Sequence, residues 1–566
     1  MTRINLPREK KVAHLTLHRQ PSTISSRDFN RLSQEEQLEV LQTVGGRRKY
    51  DLLIESADAR QLVQQLPAQE VYLLARELGS EDVPELVAMA SAEQVTAIID
   101  LDCWNADQLD REAALRWLTL LLDADDERLI ETLSGIEIEL LTAVLQQWVV
   151  VLSGPEDLED DDARAEAMNR SGGYAIEYSD GEAAKPIGQL LNVLLKNDYE
   201  LFRQLVESIR QELPSQLEED IYRLRSGRLE DFGFSTPHQA KSLYSWLDPQ
   251  KFRIEDYQRD GAVYVPRSTQ PPGYLLSGVS PKPLLAEILA RGLSQDSAWE
   301  LTYLLNKLMM ADRVDPGDRE QVSAAIERLY GTLNLALEFL AGQDLEQAGE
   351  LFDSVYFEYL FRLGFSLTLQ LGRRAGKIVA APLGRFLDAP LRPAVEALCQ
   401  DRPQFYLPLE GGNRAATRQF STLQEIKLVE QLLERLELQI GLIERHFPQL
   451  LPDPEQFDLT GCEPAQLDDL SICDLFLTAL ANQLLGRDFA PNPVPLAEVT
   501  LLHQQISSGG VLKPELLKQT RDWLESLENG GGRLADWCLG VWDEEFCSLR
   551  VEDLNPRYIS GLIIRL

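Results

Sequence analysis

The stretch LPAQEVYLLARELGSEDVPELVAMASAEQVTAIIDLDCW, running from Leu66 to Trp104, decides the fold class. Val71, Leu74, Ala75 and Leu78 stand at i, i+3, i+4 and i+7. Val83, Leu86, Val87 and Ala90 repeat the spacing, and Val95, Ile98 and Ile99 begin it again. That period puts apolar side chains on one face of a helix. The breaks are equally legible. Gly79 suits the left-handed conformation that closes a helix. Ser80 offers an oxygen to the free N–H groups of the next turn, and Glu81 and Asp82 suit its positive end. Ser91 caps again, with Glu93 and Gln94 behind it.

The pattern extends both ways. Ser33 and Glu36 have capping-box spacing in LSQEEQLEVL, Leu32 to Leu41. Asp110 is expected to start a helix striped by Ala114, Trp117, Leu118 and Leu121. Ser134 is expected to start another, striped by Leu141, Val144, Leu145 and Trp148, with Trp117 and Trp148 both turned inward. A three-turn helix is marginal alone because nucleation is costly. Stacked on neighbours, each such helix buries its stripe, so restarted short helices predict a helical solenoid or superhelix.

Two resemblances follow from these residues. LPAQEVYLLARELGSEDVPELV and ASAEQVTAIIDLD, within residues 31–152, resemble the N-terminal cytoplasmic superhelix of bacterial magnesium channels and the helical repeats of the flagellar motor switch protein. That likeness implies a superhelical domain working in a bacterial signalling, motility or envelope assembly. RLEDFGFSTPHQAKSLYSWLDP (Arg228 to Pro249), with DLDCW (Asp100 to Trp104) and LNLALEFL (Leu333 to Leu340), resembles a large bacterial family of unknown function over nearly the whole chain. It implies no activity.

The expected fold class is all-α: a helical-repeat, superhelical N-terminal domain, then two larger helical blocks, with Pro/Gly-rich loops between. Residues 1–30 hold six basic and two acidic side chains and read as a basic, mobile arm. The helical-repeat domain spans 31–152. Residues 153–186 form an acidic linker or loop, with seven acids between Glu156 and Glu166 repelling one another. A helical block at 187–260 contains Thr236, Pro237 and Gln239 in capping-box order, its helix ending at Leu247-Asp248-Pro249. Residues 261–283 carry five prolines and three glycines and form a linker or loop, in which AVYVP is a possible strand. A helical block follows at 284–400, striped by Val322, Ala325, Ile326 and Leu329, then by Phe352, Val355, Tyr356 and Tyr359. A loop covers 401–420. The C-terminal helical block, 421–566, opens on a Thr422–Glu425 capping box and the stripe Val429, Leu432, Leu433, Leu436, Ile440 and Ile443.

Composition excludes several functions. The 566 residues carry 91 acidic and 55 basic side chains, a net charge of −36. Such a body repels nucleic acid and anionic membranes and favours basic partners or divalent cations. No apolar run is long enough to cross a membrane. The N-terminus lacks a signal-peptide pattern. Six scattered cysteines without a CxxC pair argue against a disulfide framework or a zinc site. A cytoplasmic setting fits.

Asp100, Asp102, Asp107 and Asp110 form the densest ordered acid cluster. They are the candidate metal ligands, with magnesium as the candidate cofactor and helix ends and caps as the competing reading. His14 and His18 stand four apart, yet their surroundings alternate as in a strand. LGRRAGKI (Leu371 to Ile378) and GGRRKYD (Gly45 to Asp51) look like phosphate loops but lack the required spacing. No serine elbow or Cys–His spacing marks a catalytic residue or a cofactor-binding motif. The reading that results is a non-enzymatic helical scaffold or adaptor that binds another protein. The alternatives are a divalent-cation-responsive regulator and an enzyme with its site between helical blocks.

Overall fold

The computed structural model describes residues 24–105, 107–154, 172–259, 281–387, 390–411, 415–451 and 457–566. His14, His18 and most of the basic arm, the acidic run and the AVYVP stretch lie outside them. Two compact units result, one up to Leu363 and one from Gly364 to Leu566.

The first unit opens with short helices: α1 (Ser26–Phe29), α2 (Gln34–Thr43), α3 (Gly46–Ile54), α4 (Ala59–Gln65), α5 (Ala68–Leu78), α6 (Pro84–Ala88) and α7 (Ala92–Asp102). The sequence signals act where expected at several ends. Ser33 and Ser91 each form a complete capping box, with Glu36 and Gln94. Gly79 has φ +90°. Ser80 is different: it lies in a 3-10 turn, and Pro84 opens α6 behind Val83, which gives no side-chain cap. All three predicted stripes are buried apart from the half-buried Leu78.

After α7 come a minimal hairpin, β1 (Trp104–Asn105) and β2 (Gln108–Leu109), then α8 (Arg111–Leu121), α9 (Asp126–Ser134) and α10 (Ile138–Gln146). Asp110 caps α8 through the Ala113 N–H. Ser134 ends α9 instead of starting a helix, its hydroxyl bonded to the Ile130 carbonyl. Trp117 and Trp148 are buried, at 1% and 5% exposed. With lengths from five to eleven residues and a hairpin between them, α2–α10 establish a helical body, but no superhelical repeat.

The all-α expectation needs correction. The chain is mostly helical with several small sheets. β3 (Val149–Ser153) pairs antiparallel with β4 (Ala175–Tyr178), so the acidic segment connects two strands of one hairpin. Three consecutive valines disfavour continuing α10. Their side chains alternate: Val149 and Val151 are buried, while Val150 and Leu152 are 50% and 58% exposed.

α11 (Gly181–Asn197), α12 (Tyr199–Gln211) and α13 (Pro214–Asp231) follow. One contiguous apolar cluster runs from Ile24 to Ile221. Thr236 and Gln239 form the predicted capping box on α14 (Pro237–Ala240), but a 3-10 turn takes over at Lys241 and ends at Tyr244. α15 (Pro283–Ala290), α16 (Gln295–Asp312), α17 (Arg319–Ala341), α18 (Leu345–Ser354) and α19 (Phe357–Ala380) complete the sequence, and the division between units falls within α19. The predicted stripe Phe352–Tyr359 is split. Val355 bridges Gln258, and the Tyr356 N–H donates to the Tyr257 carbonyl, so the chain is extended between α18 and α19.

The second unit holds α20 (Leu391–Leu398), a hairpin of β5 (Gln404–Tyr406) and β6 (Thr417–Gln419), and the long α21 (Leu423–His446), whose predicted stripe is buried. β7 (Cys462–Glu463), α22 (Ile472–Leu484), β8 (Val494–Pro495) and α23 (Leu496–Ile506) follow. Then come a tight hairpin of β9 (Ser507–Ser508) and β10 (Val511–Leu512), α24 (Pro514–Leu527), α25 (Gly532–Val541), a π-helical turn at Trp542–Cys547 and β11 (Ile564–Arg565). β11 is the middle strand between β7 and β8. Its approach is fixed by α22: Asp474 accepts the Gly561 N–H at 2.9 Å and Thr478 Oγ1 accepts the Ile563 N–H at 2.9 Å. Trp542 donates to the Gly561 carbonyl at 3.1 Å.

Two outcomes follow. Thr478→Val keeps the shape but leaves the buried Ile563 N–H unpaired. It should cost ~1–3 kcal/mol, read as a lower urea midpoint, whereas Thr478→Ser should stay near wild type. Glu425 gives a pH effect. Burial pushes its carboxyl up, but the Arg418 guanidinium at 2.9 Å and the Ser421 N–H at 2.7 Å more than reverse this, holding it below the ordinary carboxylate range. Its contribution is therefore complete above the unfolded-state pKa and is lost as pH falls through the lower folded value. Arg418→Met removes the compensation, so acid unfolding followed by circular dichroism should begin at a higher pH.

Candidate functional site

The four aspartates between the last turn of α7 and the start of α8 are placed in four different ways. Asp100 is 1% exposed. Its carboxylate accepts two bonds from Arg228 of α13, Nε at 2.7 Å and Nη2 at 2.9 Å. Burial pushes its carboxyl up while Arg228 pulls it down. Arg225, one turn earlier on α13, donates to the Asp100 carbonyl at 2.8 Å and stacks over the Trp104 ring at 5.1 Å. Burial lowers the Arg225 pKa. Asp102 accepts from Tyr72 Oη at 2.9 Å, Arg116 at 3.0 Å and Trp117 Nε1 at 2.7 Å, with Arg76 Nε at 3.6 Å. Burial and this carboxylate together raise the Tyr72 hydroxyl pKa. Asp107 is exposed beside the β1–β2 turn, and Asp110 is the cap of α8.

The structure thus brings Asp100 and Asp102 onto one seam but fills their coordination positions with arginine, tyrosine and tryptophan donors. A bidentate arginine–carboxylate pair is a strong, directional contact, and a magnesium ion would have to displace it. Among the described residues, no group of three or more His, Cys, Asp or Glu side chains is arranged to hold a metal. Sequence reading missed the partners. Arg116 lies in the helix striped by Ala114, Trp117, Leu118 and Leu121, and Arg228 opens the stretch RLEDFG quoted above, but nothing local says which carboxylate each one finds.

GGRRKYD forms the start of α3, with Gly45 as its cap. Lys49 is buried in an ion pair with Glu70 of α5. Beside it, among α3, α5 and α17, lies a cavity of about 40 Å³ lined by Gly46, Lys49, Glu70, Glu77, Arg319 and Ser323. It has room for a few waters. Arg319 pairs with Glu77 at its edge, so both of its cations already face a carboxylate. LGRRAGKI lies inside α19 and forms no loop, with Arg374 bonded to Glu437 at 2.9 and 3.0 Å. His238 sits in α14 and His446 ends α21. His503 is buried in α23 against Phe546 and Ser507.

The stretch Arg228–Pro249 packs on α16. Gly233 has φ +85°, and a Cβ there would come within 2.6 Å of the Tyr303 Cα. Asn306 donates to the Phe232 carbonyl at 2.6 Å, and Tyr244 donates to Asp312 at 2.6 Å.

Asp102→Asn should destabilise the protein by about 2 kcal/mol or more. This is discounted from the ~3–5 kcal/mol of a fully buried pair because its arginines are about a third exposed. Asp107→Asn should stay within ~0.5 kcal/mol of wild type. Denaturant titration distinguishes them. Millimolar magnesium should leave the melting temperature of the wild type unchanged. A rise that disappears in Asp100→Asn would instead show that the ion displaces Arg228.

No curated protein and no solved structure matches the chain, and so neither comparison supports the likeness of residues 31–152 to magnesium channels or flagellar switch repeats. A family model does match, over residues 26–565, from α1 to β11. Its description is a family of unknown function, DUF6178, and the chain belongs to that family.

Proposed function

We propose that the chain is a non-enzymatic helical scaffold that binds another protein. The observation that carries this is the outer face of the β3–β4 hairpin. Val150 and Leu152 are 50% and 58% exposed, in a sheet that has two strands among the described residues. An open strand edge with exposed apolar side chains is a ready site for another chain. In a body of charge −36, such a face offers an approach that owes nothing to a basic partner.

One further observation supports the reading over the cation-responsive alternative: the most suggestive acidic cluster is committed to internal arginines. A role in signalling, motility or envelope assembly rests on the resemblance of residues 31–152, their arrangement as a superhelix on the restarted short helices, and a cytoplasmic setting on the scattered, unpaired cysteine pattern. The finer division at 153–186, 261–283 and 401–420 rests on composition. No described helix is long and apolar enough to cross a membrane.

The test is affinity purification of tagged protein from its host with quantified stoichiometry, beside Val150→Asp and Leu152→Asp. One partner near equimolar with the wild type and depleted at least several-fold by either substitution is the expected result. A partner retained equally by both variants would remove the hairpin from the account. A solitary protein would remove the scaffold reading.

A further inference from the structure

Upstream of α1, the stretch VAHLTLH, Val12 to His18, alternates as a strand does, with Ala13, Leu15 and Leu17 on one side. Its flanks are basic: Arg8, Lys10 and Lys11 come before it and Arg19 after it, against one acid, Glu9. This stretch lies outside the described residues. The β3–β4 hairpin offers what such a segment lacks. In an antiparallel pair every second residue turns its N–H and C=O away from the partner strand. Those of β3 meet no other backbone group among the described residues. Val150 and Leu152 are exposed on the outer face, and Glu177, across from Val150 on β4, is exposed beside them. Soon after β3 the sequence enters its run of seven acids, Glu156 to Glu166.

We propose that residues 12–18 of one copy add as a strand to the outer edge of β3 in a second copy, antiparallel to it. This rests on the reading of the hairpin as a docking edge and names its occupant. An added strand satisfies the open N–H and C=O groups of β3. Leu15 and Leu17 then stand beside Val150 and Leu152 as cross-strand apolar pairs. Charge sets the direction. β3 runs towards the acidic run, so the antiparallel arrangement brings Arg8, Lys10 and Lys11 to the acidic end. The parallel arrangement would bring Arg19 alone.

Connectivity assigns the strand to a second copy. The segment meets its own body at Ile24, just before α1, which packs on α3. The hairpin packs on α10, α11 and α12. From α1 the contacts reach β4 through α3, α6, α8 and α11, and packed helices stand about 8–10 Å apart. Residues 19–23 span at most ~18 Å, less than that path.

Fluorescence anisotropy of a labelled peptide of residues 8–19, titrated with the full chain, tests this. Saturable binding is expected, weakened several-fold by raised salt because the flanking charges are exposed. It should be lost when Leu15→Asp and Leu17→Asp are placed in the peptide, and with Val150→Asp protein that keeps the wild-type circular dichroism. In sedimentation velocity the full chain should self-associate as concentration rises, and the chain carrying Leu15→Asp and Leu17→Asp should not. A peptide that fails to bind up to about 1 mM, or that binds equally well with both leucines replaced, overturns the inference. So does a wild type that stays monomeric over the same range. The docking reading fails separately: a host partner depleted by Val150→Asp while the peptide does not bind would keep the edge and give it a different occupant.

Discussion

Two carboxylates at the end of α7 determine how the first unit closes. Asp100 faces α13 and Asp102 faces α5 and α8, so one helix end is tied to three others. The loop before α17 joins the same junction: Asp315 approaches Arg76, and a Cβ on Gly317 would fall within 2.8 Å of Tyr72 Oη. Each buried carboxylate carries a desolvation penalty that only well-aligned donors offset. The short helices therefore have one arrangement in which these acids are satisfied, and the apolar stripes, which would tolerate sliding, are held to it.

This changes what the acidity means. In the sequence, the aspartates of the DLDCW region suggest an ion site. In the folded chain, the ordered acids serve as acceptors for arginine, tyrosine and helix N–H groups, at Asp100, Asp102, Asp110 and Glu425 alike. The surface that carries the functional argument is therefore an apolar one, the exposed face of the β3–β4 hairpin.

Legibility followed the range of the interaction. Capping boxes at Ser33, Thr236 and Thr422 involve residues three apart, and each formed as read, while the cap read at Ser91 is completed to a box by Gln94. The burial of Trp117 and Trp148 followed from local periodicity. Ser80 and Ser134 were misread because a cap also needs a helix to begin there, and Val83–Pro84 and Glu137–Ile138 begin them instead. Strands of two residues, such as β9 and β11, carry no period to detect. β3 was hidden because a valine run following a helical stripe reads as its continuation. The partners of Asp100 stand over a hundred residues away along the chain, which no local pattern encodes. Gln94 shows both regimes at once: its Oε1 accepts the N–H of the predicted cap Ser91, while its Nε2 bonds the Val63 and Leu66 carbonyls across the core.

The central claim is that the Asp100–Asp102 seam couples the helices of the first unit into one cooperative body. Hydrogen exchange of Asp102→Asn against wild type, resolved by peptide, measures this directly. The expected result is a joint loss of protection in α5, α7, α8 and α13, with the second unit unchanged. Loss confined to the last turn of α7 would contradict the account and leave the apolar stripes alone as what holds the helices together.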